Sequence, residues 1–579
     1  MKIDRPLRVE LEGRGKITLD RNDYVASGGE GSVYRRGDLI IKLYADPAKM
    51  LRDDMSAKIR TLVTFKHPYI VAPRGLVLDG GGKPIGYYMD FATGEPFARV
   101  FTNKFRTRAK FGDHDASLLT DRMLQVFRFA HDRQAVLVDA NELNWIAALG
   151  GADGPEPRIL DVDSWAVGKW PAKVVMLSIR DFHTKGLTPL TDMFSWGIVT
   201  FQLYTGIHPY KGELAGYGML ELERRMRDNA SVFSTGVQFP SAVRDFGCIP
   251  GPLLGWYEAT FQQGERTQPP SPFDTGVTTP ARRVKVARIT TTTSGKLDYQ
   301  RLLDDSDPAM RVFPCGIVLL ESGKLYDLGT NRVVGSNASL DCEVVKGEHG
   351  WVVGEPNGGE PTFTFISTSH EATVLTPNVQ GTALVRYENR LFVTTDRGLT
   401  ELKLMKFART ILAVGDTWGA MPRSTQWFDG VGVQDAMGAT FLIAPFGDGS
   451  CGQVRTRELD GLHVVAAKAG NRFVSIIALD STGLYKKIEF TFDETYSPSY
   501  TVWEGAALNA ELNMAIVTRP GGAVGATVVR DGELVIFVPT TGVVNKVPDK
   551  DVTTTMTLTT WRDRVVYIRD GQVWSLTLK

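Results

Sequence analysis

Beyond about residue 300 the chain consists almost wholly of short apolar runs broken by tight-turn residues, and this restricts its fold more than any other feature. Ile317-Val-Leu-Leu320 runs into Ser322-Gly323, and Leu391-Phe-Val393 runs into Asp396-Arg-Gly398. Val565-Val-Tyr-Ile568 runs into Asp570-Gly571 and then the alternating Gln572-Val-Trp-Ser-Leu576. An apolar strand, a turn that tolerates positive φ and a second strand read as a hairpin. Helical periodicity is confined to the first half, at 47–65, 118–131, 192–205 and 214–228.

The hairpin pattern returns roughly every 35 to 50 residues, which predicts the blades of a β-propeller, about six or seven of them. A large β-sandwich, or a pair of them, is the alternative. The stretch 268–294 is rich in Pro, Thr and Ser, as in a linker or an irregular wrap. Three regions are therefore expected: a first domain at 1–270, a linker at 271–300 and an all-β domain at 301–579. A chain of 579 residues is too long for one core.

Apolar content is 43%, charged content 23% and formal net charge zero. Strong non-specific attraction to nucleic acid or to an anionic membrane is not indicated. No apolar run reaches the roughly 20 residues of a membrane helix, so a cytoplasmic protein is expected. Cys248, Cys315, Cys342 and Cys451 lie far apart with no CxxC spacing, and read as reduced thiols. His349, His370 and His463 are well separated, and the tryptophans of the β region read as packing residues.

Chemistry is concentrated in the first half. Asp139 follows the apolar Val136-Leu-Val138, and Asn144 lies five positions on and opens a second apolar run. A carboxylate in this pattern can take a hydroxyl proton, and an amide oxygen one loop away can hold a metal on the phosphate under attack. Ile159-Leu160 then delivers Asp161, with Asp163 two residues on. Near the start, Gly28, Gly29 and Gly31 precede Val33, and glycines there let backbone N–H groups approach phosphates. Lys42 sits inside the apolar run Leu39-Ile-Ile-Lys-Leu43, where burial is costly without an anion.

With these residues in order, positions 20–270 resemble a eukaryotic-type (Hanks-type) protein kinase domain of the divergent bacterial and phage-like branch. Gly28 and Gly31 match the second and third glycines of the phosphate loop, and Val33 the valine above adenine. Lys42 matches the phosphate-binding lysine, and His67-Pro-Tyr-Ile-Val71 the turn after the regulatory helix. Met89 matches the gatekeeper, the backbone of Asp90 and Ala92 the adenine hinge, and Ile146 the floor of the adenine pocket. Asp139 and Asn144 match the catalytic-loop residues, and Asp161 the metal-binding acid. Asp192-Met-Phe-Ser-Trp-Gly197 matches the central helix, and Arg266 the late arginine.

The pattern also departs from that family. Ala26 replaces the first glycine and Leu137-Val138 the His-Arg before Asp139. Asn141 stands where a lysine is usual, and Asp163 fills the last glycine of the metal motif. Lys58 falls where the regulatory helix carries its glutamate, with Asp54 the nearest acid one turn earlier. No Ala-Pro-Glu occurs, and Asp181 is placed to pair with Arg266.

The expected class is thus multidomain, an α+β bilobal protein-kinase-like fold followed by an all-β propeller. The resemblance implies ATP-dependent phosphoryl transfer to a protein Ser or Thr, with ATP and Mg2+ as cofactors. Asp139, Lys42 and Asn144 would be catalytic, and Asn144 and Asp161 the metal ligands. The propeller would dock a protein substrate or partner. A cognate metal-dependent phosphatase and a von Willebrand-type protein are companions that the family implies. The second reading is a nucleotide-binding pseudokinase scaffold.

Overall fold

The computed structural model describes residues 5–172, 175–274, 296–407, 409–445, 449–492, 503–519, 522–538 and 543–578. The expected fold class is overturned. The described residues are 18% helix and 41% strand, made of many small separate antiparallel sheets and one half-barrel. It is not an α+β kinase lobe joined to a propeller. One cause is that two windows of helical periodicity give little helix. The 47–65 window breaks into Lys49–Arg52 and Met55–Leu62, because Asp54 between them is left-handed at φ 52°. The 214–228 window yields only Leu222–Arg227, since glycines at 216 and 218 favour turns at its start.

Two helices do form at length. Pro189–Thr205 has Thr188 as N-cap, Pro at the first turn and left-handed Gly206 at its end, the start and stop signals of a helix. Its residues from Thr191 to Thr205 are all buried, as expected of a helix apolar on every side. Asp113–His131 packs against it through a stripe that includes Leu119, Met123, Phe127 and Ala130.

The half-barrel holds seven strands in the spatial order Gly15–Leu19, Leu7–Leu11, Gly75–Leu78, Pro84–Asp90, Leu39–Tyr44, Gly31–Arg36 and Tyr24–Ser27. Strand alternation sends Tyr34, Ile41, Leu43, Val77 and Tyr88 into its own core. The opposite face carries Lys42, Tyr44 and Tyr87, and the two tyrosines join the main core of the first half.

Among the described residues after 295 there are seven sheets of four strands, each antiparallel. The first strand, Leu297–Leu303, pairs with the last, Gln572–Leu578, so the end of the chain returns to the start of this region. Successive sheets share apolar clusters, such as Phe313, Ile317, Trp351 and Val353 between the second and third. No described strand pairs across 275–295, and that part of the expected linker lies outside the described residues.

The two halves touch directly. Arg423 donates to Asp23 Oδ1 at 2.6 Å and to the Arg35 carbonyl at 2.5 Å. Asn509 Nδ2 donates to the Gly206 carbonyl at 2.9 Å, and the Ser241 amide to Asp531 Oδ2 at 2.7 Å.

Asp181 and Arg266 form the expected pair, Nε to Oδ2 at 2.6 Å and a second nitrogen to Oδ1 at 2.9 Å. Burial alone would raise the Asp181 pKa, but the guanidinium outweighs it and holds the carboxyl below its ordinary value. Its contribution is therefore complete above the unfolded carboxylate pKa near 4 and is lost as pH falls through the lower folded value. Arg266→Ala leaves that charge buried and should cost about 3–5 kcal/mol at pH 7. Urea denaturation checks this, and the gap between the proteins should narrow under acid.

Candidate active site

The hairpin of Tyr24–Ser27 and Gly31–Arg36 turns through Gly28-Gly29-Glu30, closed by the Gly28 amide on the Gly31 carbonyl at 2.9 Å. Gly31 is required by close approach, since a Cβ there would lie 2.2 Å from the Leu43 carbonyl oxygen. A Cβ on Gly28 would meet nothing within 4 Å, so the turn has open space beside it. Val33 pairs with Lys42 across the next two strands.

Lys42 is 8% exposed. A buried ammonium without a counter-charge costs several kcal/mol. Here Nζ lies 2.5 Å from Asp161 Oδ1 and 2.9 and 3.0 Å from the two oxygens of Asp163. Burial opposes its charge, but these carboxylates outweigh it and raise its pKa well above the ordinary value. The helix Met55–Leu62 supplies no acid: Lys58 donates to the Asp163 carbonyl at 2.7 Å. Asp54 pairs with Lys169 at 2.7 Å, away from Lys42.

The two acids differ. Asp163 is fully buried and also receives the Tyr44 and Tyr87 hydroxyls at 2.6 and 2.7 Å. Burial would raise its pKa, yet Lys42 and the tyrosines hold it below the usual carboxylate range. Asp161 keeps 38% of its side chain exposed, and burial of the rest raises its pKa against the opposing pull of Lys42. Asp161 is left-handed at φ 55°, and Ser164 Oγ donates to its carbonyl at 2.7 Å.

The catalytic-loop candidates sit beside it because two strands pair. Trp145–Ala148 runs antiparallel to Glu156–Ile159 with Trp145 opposite Ile159, so Asn144 and Asp161 lie at the same end. The Leu160 amide donates to the Asn144 carbonyl at 2.9 Å. Asn144 Nδ2 donates to the Asp139 carbonyl at 2.7 Å, which leaves Oδ1 as the atom able to ligate a cation. Asp139 Oδ1 accepts from Asn141 Nδ2 and from the Met176 amide, each at 3.0 Å. Burial is the main cause of its raised pKa.

Val138 is left-handed at φ 66°, a strained conformation for a β-branched residue. It is held there from below. Asp192 accepts the Leu137 amide at 2.7 Å, the Val138 amide at 2.9 Å and His131 Nε2 at 2.8 Å.

The expected adenine residues are placed less fully. Met89 pairs with Ile40 and packs on the main core. Ile146 pairs with Pro96, and Gly94 comes so close that a Cβ would lie 2.4 Å from Ile146 Cγ2. Asp90 ends its strand with its carboxylate on Arg74 at 2.5 Å, and Ala92 is half-buried beyond it.

Sequence reasoning missed Tyr44, Tyr87 and the role of Asp192. The first was legible as the i+2 neighbour of Lys42 on one strand face. It also missed that the β region reaches the site. Tyr485 donates to Glu142 Oε1 at 3.2 Å, and the Ser178 amide donates to the Thr482 carbonyl at 2.9 Å. A separate cleft of about 270 Å3 lies beyond Val138, lined among others by Arg180, Lys185, Leu187 and Thr191.

No described group of three His, Cys, Asp or Glu side chains is placed to hold a metal. An oxygen-seeking ion that keeps several waters needs fewer protein ligands, and Asp161 with Asn144 Oδ1 fits that need. No family model and no curated protein matches the chain.

Gly31→Ala should force its strand away from Leu43 and cost about 1–3 kcal/mol, the usual range for overpacking. Chemical denaturation of the variant beside Gly28→Ala, which has open space, checks this. Gly28→Ala should stay within about 0.5 kcal/mol of the parent.

Proposed function

We propose that the protein is an ATP-dependent phosphotransferase that acts on a protein Ser or Thr hydroxyl. The observation that carries this reading is one run of contacts: Lys42 on Asp161, Leu160 on Asn144, and Asn144 on Asp139. A phosphate-gripping cation, an acid, an amide and a buried carboxylate thus stand in sequence along one run of contacts, in the order of the kinase resemblance.

In this reading Lys42 grips the nucleotide phosphates, and Asp161 with Asn144 Oδ1 holds Mg2+. Bound magnesium supplies charge neutralisation on the phosphoryl oxygens. Asp139 has one oxygen engaged by Asn141 and Met176, so the other is the acceptor for the incoming hydroxyl proton. Its raised pKa makes it a stronger base than an exposed aspartate. Gly28, Gly31 and Val33 cover the phosphates, while Met89, the backbone of Asp90 and Ala92, and Ile146 frame adenine. The cleft beyond Val138, with Arg180 and Lys185 at its edge, suits the acceptor segment. The β region serves as a docking platform for a protein partner. A cytoplasmic setting accords with four unpaired cysteines, all pushed up by burial, Cys248 to about 11 and Cys342 to about 12. No helix among the described residues is long and apolar enough to cross a membrane.

A second reading, a nucleotide-binding scaffold, draws on the β region's position. Leu143 and Met176 pack against Val465, Ile477 and Tyr485, which covers the acceptor side of the catalytic loop.

Losing the Asp139 carboxylate in Asp139→Asn should slow transfer by roughly 10² to 10⁴, the range for a positioned general base. Radiolabelled ATP with the full chain measures it, and transfer equal to the parent would remove Asp139 from the mechanism. Asp161→Asn should abolish Mg-dependent thermal stabilisation by ATP while the metal-free protein melts as a folded unit. Val138 stands where a phosphate-sensing arginine would be, so phosphatase treatment should leave the rate unchanged.

A further inference from the structure

We propose that Asp163 is the positioning residue for Lys42, the part that an acid on the regulatory helix would otherwise play. The inference rests on the nucleotide-binding reading above and extends it to a residue that the motif alone makes a substituted glycine.

The geometry favours Asp163 over every other acid near Lys42. Glu30 is 3.9 Å away, beyond hydrogen-bond reach. Asp161 makes one contact and is half open to the cleft. Asp163 alone offers both oxygens to Lys42 and alone is held on every side. Its cup consists of Lys42, its strand neighbour Tyr44 and its cross-strand partner Tyr87, three residues on one face of two paired strands. Lys58 closes the rear by binding the Asp163 carbonyl, so the helix fastens the loop with a cation instead of holding Lys42 with an anion.

A division of labour follows. A divalent cation entering the cleft competes with Lys42 for Asp161, the exposed acid. Asp163 has no such freedom, so Lys42 keeps a counter-charge when Asp161 turns to the metal. The grip on the phosphates is then set by the same loop that carries the metal ligand, and the two are fixed together by a contact two residues long. Helix movement is not needed to assemble it.

The test is a double-mutant cycle on the full chain, read by calorimetry with Mg·ADP. Asp163→Asn should weaken binding by roughly 10- to 100-fold, the range for residues that orient a ligand-holding group. Combined with Lys42→Met it should add no more than about twofold to the loss from Lys42→Met alone, because the two act as one unit. Binding by Asp163→Asn equal to the parent, or full additivity in the pair, overturns the proposal.

A second readout needs no nucleotide. Acetylation of Lys42 by an N-hydroxysuccinimide ester, followed by mass spectrometry, should be faster in Asp163→Asn, because the amine loses the carboxylate that holds it at 2.9 and 3.0 Å. An unchanged rate overturns the pairing. If the parent binds no Mg·ADP, the nucleotide reading fails and the labelling alone decides the pair. Should Asp163→Asn not fold, Tyr87→Phe removes one of the hydroxyls on Asp163, and the same measurements should move in the same direction by less.

Discussion

The structure of the first half depends on a lysine ammonium placed inside a sheet. Once Lys42 is buried, something anionic must come within about 3 Å of it or the strand cannot stay where it is. The loop after Ile159 answers that demand with two carboxylates, and Asp163 brings with it the hydroxyls of Tyr44 and Tyr87. This ties the half-barrel to the short strands that carry Asn144 and Asp161. These polar residues are thereby part of the packing between the sheet and the rest of the first half. A fully satisfied network of this kind rigidifies its surroundings.

A second fixed point lies below the loop that carries Asp139. The helix Pro189–Thr205 is buried from Thr191 onward, so its one acid, Asp192, needs partners there. It finds them in two backbone amides and a histidine. Those bonds hold Val138 in a conformation it would otherwise avoid, and the turn that results leads into Asp139, whose Oδ1 meets Asn141 and the Met176 amide. Strain at Val138 and burial of Asp192 are thus two sides of one arrangement. Each is tolerable because of the other.

The sheets of the second half are held by apolar clusters between neighbours and by a run of ion pairs across them. Arg386, almost fully buried, joins Glu343 at 2.9 Å to Asp429 at 2.8 Å, and Arg311 shares Glu343 from the other side at 2.6 Å. Planar guanidinium groups suit such bridging, since each presents several donors in a fixed fork. This region also reaches the first half: by meeting Glu142 and Ser178 it closes over the outer side of the loop that carries Asp139.

Local features were legible in the sequence. Alternating apolar runs and Gly-containing turns foretold hairpins such as Arg564–Arg569 with Gln572–Leu578, because strand period and turn chemistry act over a few residues. Helical periodicity at 192–205 foretold most of the helix Pro189–Thr205, and motif spacing singled out Lys42, Asp139, Asn144 and Asp161. The fold class was misjudged, since helical periodicity around 47–65 and 214–228 says what a segment prefers and Asp54 or a glycine-rich turn decides how long it lasts. The partner of Lys42 was hidden for a different reason. Asp163 lies 121 positions away and Tyr485 lies 343 positions from Glu142. Which acid neutralises a buried cation is settled by what packs within 3 Å of it. That depends on how strands and loops distant in the chain are stacked, and only the tertiary structure decides it.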